Sequence, residues 1–461
     1  MNAIATTRAG TPPPGHKSFL FLQGPISPFF RLVGAELRAL GHDVLRVNLN
    51  AGDWLIWHGP DAVSYRGRPG DWPAWFEALC EERQATDLVL LGEQRPMHRA
   101  AIAIARRRGM RVVATDFGYI RPDWIVLERD GMNAESRFPR DPETIVEMGR
   151  NLPPPDLVVH HRDSFPRQAV WDIAYHLTAM LRWPFPHHRS HQLYHPIPVY
   201  AGTLLRLLTR RHDNRRADAI VRALQGKGLL FLFAMQMETD FSLRAYSHYP
   251  DLDTAMEEVI ESFARHAPAE AKLLVKVHPL DPGIKRWKRR VRRIAQRHGV
   301  AGRVHYLGGG NLGHITESVQ GVITVNSTVG LRALIDNLPT HALGQAIYRI
   351  PGLTHAGPLD AFWRDPPRPD MALREGFLRG IAHCLHIRGV YYAKEGLAVA
   401  VRQATHRLHH GLLNAPVLDF TAAPALPPLA APVPPPIGAA TNPLAESPPQ
   451  RMETPVPVPS R

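Results

Sequence analysis

Cysteine is almost missing: Cys80 and Cys384 are the only two in 461 residues, and they lie far apart in the chain. That scarcity excludes a disulfide framework and a cysteine-based metal site, and it fits a reducing cytoplasm. Long apolar runs are missing too. No stretch approaches the roughly 20 residues that cross a bilayer. The opening MNAIATTRAGTPPPGHK has no continuous apolar core of the kind a signal peptide carries. Any contact with a membrane is therefore expected at its surface. Histidine is plentiful, at 25, yet pairs such as His160-His161 and His187-His188 lack the spacing and further partners of a ligand set. No metal is expected. Repeats at solenoid periods are also lacking.

Negative charge is the scarcer sign. Against 42 Asp and Glu stand 55 Lys and Arg, a formal net charge of +13. Such an excess favours phosphate-bearing partners: nucleic acid, nucleotide-linked substrates or an anionic bilayer. Nucleic acid ranks last, because no platform of interleaved aromatic and basic residues accompanies the charge. With 44% hydrophobic and 21% charged residues the chain reads as a folded soluble protein. Its length suggests two or three domains.

Apolar periodicity alternates between strand and helix. His16–Leu22, His42–Leu49, Thr86–Leu91 and Met110–Thr115 read as strands, with helices at Pro28–Leu40, Pro73–Arg83 and Met97–Arg108 between them. A second such region has strands at Leu229–Ala234, Lys272–Val277, Val304–Tyr306, Gly321–Val325 and Thr340–Leu343. Its helices are Leu252–His266, Ile284–His298 and Val329–Asp336. The expectation is an α/β protein of two Rossmann-like lobes meeting at a cleft, as in the GT-B architecture. The boundaries are a disordered 1–15, a first lobe over 16–138, a helical connector over 139–225, a second lobe over 226–413, and a disordered Pro/Ala-rich tail over 414–461.

Ligands of such sheets sit beyond the carboxyl ends of the strands, and five unusual clusters fall at those places. Gln23 and Gly24 leave the first strand, with Ser27 placed to cap the next helix. Glu93, Arg95 and His98 follow the strand ending at Leu91, as a solvated turn or as a pocket. Asp116 and Arg121 lie in DFGYIRPDW, where Gly118 permits close backbone approach and the pair offers an acid and an anion clamp, or a surface ion pair. Gln236, Glu238 and Asp240 follow the first strand of the second lobe; either acid would also serve as a helix cap. Lys276, His278 and Pro279 are answered by Ser327 and Thr328 at a helix start, a combination suited to phosphate. The basic helix Ile284–His298 has one apolar face and is read as solvated, or as resting on lipid headgroups.

FLQGP, the NAGD at Asn50–Asp53, GEQRPMH, DFGYIRPDWIVLERDGMN, Gln236 with Asp240, KVHPLD, NSTVGLRAL and IPGLTHAG run in that order from about residue 18 to about 400. In these segments the chain resembles the KpsS-like capsule polysaccharide biosynthesis and export family. The resemblance implies a GT-B β-Kdo transferase that retains configuration and uses CMP-Kdo without a cofactor or metal. It implies transfer of a first Kdo to phosphatidylglycerol at the inner face of the cytoplasmic membrane of a Gram-negative bacterium, beside other capsule synthesis and export proteins. Carried over by motif, Asp240 would be the nucleophile and Asp116 the acid/base, with Glu93 or Glu238 as substitutes. Lys276, His278, Ser327 and Thr328 would hold the CMP phosphate. Arg95 and Arg121 would meet the Kdo carboxylate or the acceptor phosphate. Where many relatives carry glutamate this chain has Asp116, one methylene shorter. Two alternatives stay open: a non-catalytic export component, and a CMP-sialic acid transferase.

Overall fold

The computed structural model describes residues 15–418 except position 191. Runs that are apolar at nearly every position become interior parallel strands, since both faces of such a strand are covered. SFLF forms β1 (Ser18–Phe21) and LFLFA forms β7 (Leu230–Ala234), each buried throughout. Alternation then divides their side chains. Leu20 and Leu22 join the core on one face of the first sheet, while Phe19 and Phe21 join that on the other. Phe231 and Phe233 are parted from Leu230 and Leu232 in the same way. Each side chain buried so fully contributes roughly 1.5–3 kcal/mol.

The first sheet also contains β2 (Asp43–Asn48), β3 (Ala62–Ser64), β4 (Asp87–Leu91), β5 (Arg111–Phe117) and β6 (Trp124–Arg129). The second adds β8 (Lys272–Lys276), β9 (Val304–Leu307), β10 (Gly321–Thr324) and β11 (Thr340–Ala342). A last strand, β12 (His386–Arg388), returns to the first sheet. The strand orders are β12-β6-β5-β4-β1-β2-β3 and β11-β10-β7-β8-β9. All pairings are parallel except β5 with β6 and β6 with β12. The order reverses direction between β1 and β4 in one sheet and between β7 and β10 in the other, and ligand crevices open at such points.

Two features depart from the expectation. WIVLER, read as part of a loop cluster, is strand β6 and turns DFGYIRPDW into an antiparallel hairpin. The second lobe was expected to run to 413, but β12 pairs with β6, and the helix Lys394–His410 packs Leu397, Val401 and Leu408 against Phe29, Val33 and Leu37 of the first lobe. An apolar helix face must be covered, and the face left open lies beside β1. The stretches expected to be disordered, 1–15 and 414–461, lie outside the described residues except for positions 15 and 414–418.

The connector contains two long helices, Phe165–Ala179 and Pro196–Leu224. The first grips the first lobe: a Cβ on Gly52 would meet Tyr175 at 2.7 Å. The second grips the other lobe. A Cβ on Gly202 would meet the Pro282 carbonyl at 2.1 Å, and Arg206 donates to the carbonyls of His278 and Gly308. The helices are tied together by the Tyr200 hydroxyl, which donates to the Asp172 carboxylate at 2.9 Å.

Candidate active site

Each sequence cluster falls at the carboxyl end of a strand, and three strands from each sheet supply the site. From the first lobe come Gln23 after β1, Glu93 and Arg95 after β4, and Asp116 in β5 with Arg121 in the hairpin turn. From the second come Gln236 and Asp240 after β7, Lys276 and His278 at the end of β8, and Ser327 and Thr328 after β10.

The hairpin owes its shape to Gly118. Its N–H donates to the Trp124 carbonyl at 2.8 Å, and a Cβ there would lie 2.5 Å from that same oxygen. The tight turn puts Asp116 and Arg121 side by side, with the guanidinium 4.9 Å above the Phe117 ring. Arg121 is exposed to solvent, yet it feels the charges of both Asp116 and Asp240. Asp116 is half-buried. Burial pushes its carboxyl above the usual range, the Phe117 N–H and Arg121 pull it back, and Asp240 pushes it up again. An acid of one lobe, an arginine and an acid of the other thus form one electrostatic unit across the cleft.

Glu93 sits beside that unit and is 4% exposed. It accepts a hydrogen bond from the hydroxyl of Tyr246, which belongs to the second lobe and itself accepts from Gln94 at 2.8 Å. Burial raises the Glu93 carboxyl to about 7, against the opposing pull of Tyr246, with Asp116 adding to the rise.

Asp240 caps the short helix Phe241–Ala245, accepting the Ser242 N–H at 2.9 Å, and Gln236 donates to its other oxygen at 3.4 Å. Gln236 also accepts the Asn326 N–H at 3.2 Å, joining the ends of the neighbouring strands β7 and β10. Glu238 stands apart from this group. It takes Lys285 at 2.8 Å, and Lys285 is shared with Asp253 at 2.7 Å, so its carboxylate is occupied in an ion-pair network.

On the neighbouring strand, burial lowers Lys276 to about 8, helped by Arg206, and its ammonium donates to the Gly309 carbonyl at 3.1 Å. Burial and the charges of Arg121, Lys276 and Arg206 bring His278 down to about 4, so the ring is neutral at pH 7. Its Nδ1 accepts the Leu280 N–H at 3.1 Å. The proton of the neutral ring therefore sits on Nε2, which is left as a donor. Pro279 is exposed and shapes the turn. Ser327 Oγ accepts the Val329 N–H at 3.3 Å, and Thr328 begins the helix Thr328–Ile335. Lys276 and His278 thus end β8 and Ser327 and Thr328 follow β10, the strands on either side of β7, and a helix start is a place where N–H groups meet an anion.

Gln23 is directed elsewhere. Its amide donates to Asp53 at 3.0 Å and to Tyr175 at 3.2 Å, within a buried network that includes the Arg46–Asp53 pair at 3.2 Å. Its carbonyl accepts from Arg95 at 3.4 Å, which fixes that guanidinium as one wall of a cavity of about 270 Å³. Leu49, Tyr65, Met97 and the connector turn His187–Ser190 are among the other lining residues. Gly24 abuts Phe30, where a Cβ would lie 2.4 Å from the ring. Ser27 was expected to cap the next helix. The capping position is instead Pro28, and Ser27 Oγ accepts the Phe29 N–H at 3.3 Å.

Sequence reading missed Tyr246, Arg206 and Tyr391. Tyr391 reaches Thr115 at 3.2 Å and feels both Asp116 and Arg121. None of the three stands in a motif with the residues it serves, and Tyr246 is 153 positions from Glu93.

A family model described as capsule polysaccharide biosynthesis protein matches residues 86–392. The chain is 30% identical over 388 residues to the capsule polysaccharide export protein KpsS of Escherichia coli, across 82% of this chain and 97% of that one. It is also 30% identical over 393 residues to the capsule polysaccharide modification protein LipB of Neisseria meningitidis serogroup A, across 82% and 92%. Among solved structures it is similar to the beta Kdo 2,7 transferase KpsC of Thermosulfurimonas dismutans, with 14% identity and a TM-score of 0.41 over 84% of this chain and 100% of that chain.

Proposed function

The chain belongs to the capsule polysaccharide biosynthesis family, and from that premise we propose that it is a retaining glycosyltransferase. It moves Kdo from CMP-Kdo to a phosphatidylglycerol acceptor at the cytoplasmic face of the inner membrane, beginning the linker of an exported capsule. The observation that carries this reading is the electrostatic unit of Asp116, Arg121 and Asp240, drawn from both lobes beside a phosphate-suited pair of strand ends.

The chemistry proceeds by two displacements. The Asp240 carboxylate attacks the anomeric carbon while the bond from that carbon to the CMP phosphate oxygen breaks, and CMP departs with the electron pair. Lys276, the Nε2–H of His278 and the helix start at Ser327 and Thr328 receive the charge that develops on the phosphate. An acceptor hydroxyl then attacks the same carbon as its bond to Asp240 breaks, and its proton passes to Asp116. Two inversions leave the configuration retained. Asp116 suits the proton better than Glu93, because it feels the Asp240 charge and keeps some exposure, while Glu93 is plugged by Tyr246. Arg121 holds the Kdo carboxylate, and Arg95, aimed by Gln23, holds the acceptor phosphate in the cavity beside the connector.

The test is direct. Purified full-length protein is incubated with CMP-Kdo generated in situ and phosphatidylglycerol, and a Kdo-bearing lipid is sought by mass spectrometry. Absence of product from folded protein refutes the transferase reading. Product from CMP-sialic acid and none from CMP-Kdo reassigns the donor.

A further inference from the structure

We propose that the outward faces of the two connector helices, together with the turn between them, form a docking surface for an anionic bilayer and present a lipid headgroup to the cavity at Arg95. This deepens the acceptor part of the reading above and rests on it for the headgroup alone.

Large exposed apolar side chains are concentrated, not scattered. Of the 21 among the described residues, 16 lie between Leu157 and Leu208, whereas single exposed ones would be ordinary. On Phe165–Ala179 they keep helical phase: Val170, Ile173 and Leu177 are 67%, 43% and 54% exposed at spacings i, i+3 and i+7. On Pro196–Leu224, Leu204 and Leu208 are 59% and 75% exposed one turn apart. The turn carries Trp183, 93% exposed, just before the His187–Ser190 segment that walls the cavity. Packing explains none of these faces, because each helix buries other residues, Tyr175 on the first and Ala217 and Val221 on the second, against its own lobe.

Charge selects the occupant. Residues 165–224 carry nine arginines against three aspartates, with no glutamate and no lysine. The apolar turns of the second helix run into exposed Arg210, Arg211, Arg215 and Arg216. Apolar faces bordered by arginine, with a tryptophan standing free at the turn, match the interfacial zone of an anionic membrane. The basic helix at Trp287–Arg297 does not offer the same surface. Its apolar residues Trp287, Val291 and Ile294 are spent in the core, leaving charge alone on its outside.

The test uses the full chain and needs no donor. Cys80 and Cys384 are both buried, with their thiols pushed up to about 12 and about 11, so a Leu208→Cys variant takes an environment-sensitive label at one site. The expected result is blue-shifted emission and co-sedimentation with vesicles containing phosphatidylglycerol, weak binding to pure phosphatidylcholine, and at least a tenfold loss of vesicle binding in Leu204→Glu/Leu208→Glu and in Trp183→Glu. These positions are exposed, so folding is retained, as checked by circular dichroism. The double variant keeps transfer to a water-soluble short-chain phosphatidylglycerol and loses transfer to vesicles. Equal vesicle binding by variant and wild type overturns the proposal. So does a label shift caused by self-association without lipid, which would make the face an interface between two copies. Vesicle binding without any transfer would refute the transferase reading and leave the docking surface standing.

Discussion

Replacing Glu93 by Gln tests whether the buried carboxyl at the lobe junction is an electrostatic burden. In the unfolded chain this side chain releases its proton near its ordinary value of 4.5, whereas in the folded protein it holds it to about 7. Between those values the unfolded state has already given up the proton and the folded state has not. Stability must therefore fall as pH rises through that window and stay level above it. The separation of the two values corresponds to about 3 kcal/mol, a figure that needs little discount for solvent because the side chain is 4% exposed. Gln cannot titrate, yet its carbonyl can still accept from the Tyr246 hydroxyl. For a folded body of roughly 400 residues, ~3 kcal/mol is a shift of ~3–4 °C in melting temperature. Thermal unfolding at about pH 5 and about pH 8 should thus show Glu93→Gln gaining ~3–4 °C on the wild type at the higher pH and little at the lower. Equal pH responses in the two proteins would mean that Glu93 ionises freely and that its burial has been misjudged. Transfer activity should persist in this variant, since the proton is assigned to Asp116.

Four further outcomes follow from the same geometry. Asp240→Asn should lose transfer by ~10³-fold or more with an unchanged melting temperature, because asparagine caps a helix as well as aspartate does; retained turnover removes Asp240 as nucleophile. Asp116→Asn should cost ~10²–10⁴-fold in kcat, as expected for a lost acid/base, and a smaller loss than that of Glu93→Gln would exchange the two roles. Because Lys276 gives up its charge at about 8, KM for the nucleotide sugar should rise above that pH in the wild type and be high but flat in Lys276→Met; parallel profiles would take Lys276 off the phosphate. Gly118→Ala should lower stability by about 1–3 kcal/mol and kcat with it, because its Cβ meets backbone oxygens at 2.5 Å and 2.7 Å, which cannot rotate away; wild-type stability would show that the hairpin yields.

Local chemistry was readable where the signal is local. The helix Leu252–His266 has its expected bounds, because Asp251 accepts the Thr254 N–H at 2.9 Å at one end and Pro268 follows closely at the other. The exits of β1, β4, β5, β7, β8 and β10 were also visible, since each apolar run stops at glycine, at a charge or at a side-chain amide such as Gln23, Gln236 or Asn326. Strand β6 was hidden because WIVLER sits amid residues that read as a site, and its strand character comes from pairing with β5. Three-residue β12 carries too little pattern to register, and nothing local says that the chain will return to the first sheet. Prolines blurred the bounds of the connector helices. The region was expected to be helical without its helices being placed; Pro166 and Pro196 both stand in the first helical turn, where the missing N–H costs nothing. Within the site, cluster membership was visible but roles were not: Glu238 and Asp240 are two positions apart, and only their partners separate an ion pair from a cleft carboxylate.

Those partners also explain why a connector would be placed where it is. The first connector helix sends Tyr175 into the network that orients Gln23, and Gln23 aims Arg95. The second sends Arg206 to the carbonyl of His278 and lowers the pKa of Lys276. Each helix therefore holds the anion-facing residues of one lobe from behind, while its other face is apolar and open. A lipid acceptor cannot leave its bilayer without exposing its chains, so an enzyme that takes it must bring the site to the surface. Helices that brace both halves of the site and carry the apolar face meet that need with one element. The arrangement predicts that Tyr175→Phe, which removes only the hydroxyl hydrogen-bonded to Asp53 and Gln23, raises KM for the acceptor and leaves vesicle binding intact. A change in vesicle binding instead would show that bracing and docking are not separable.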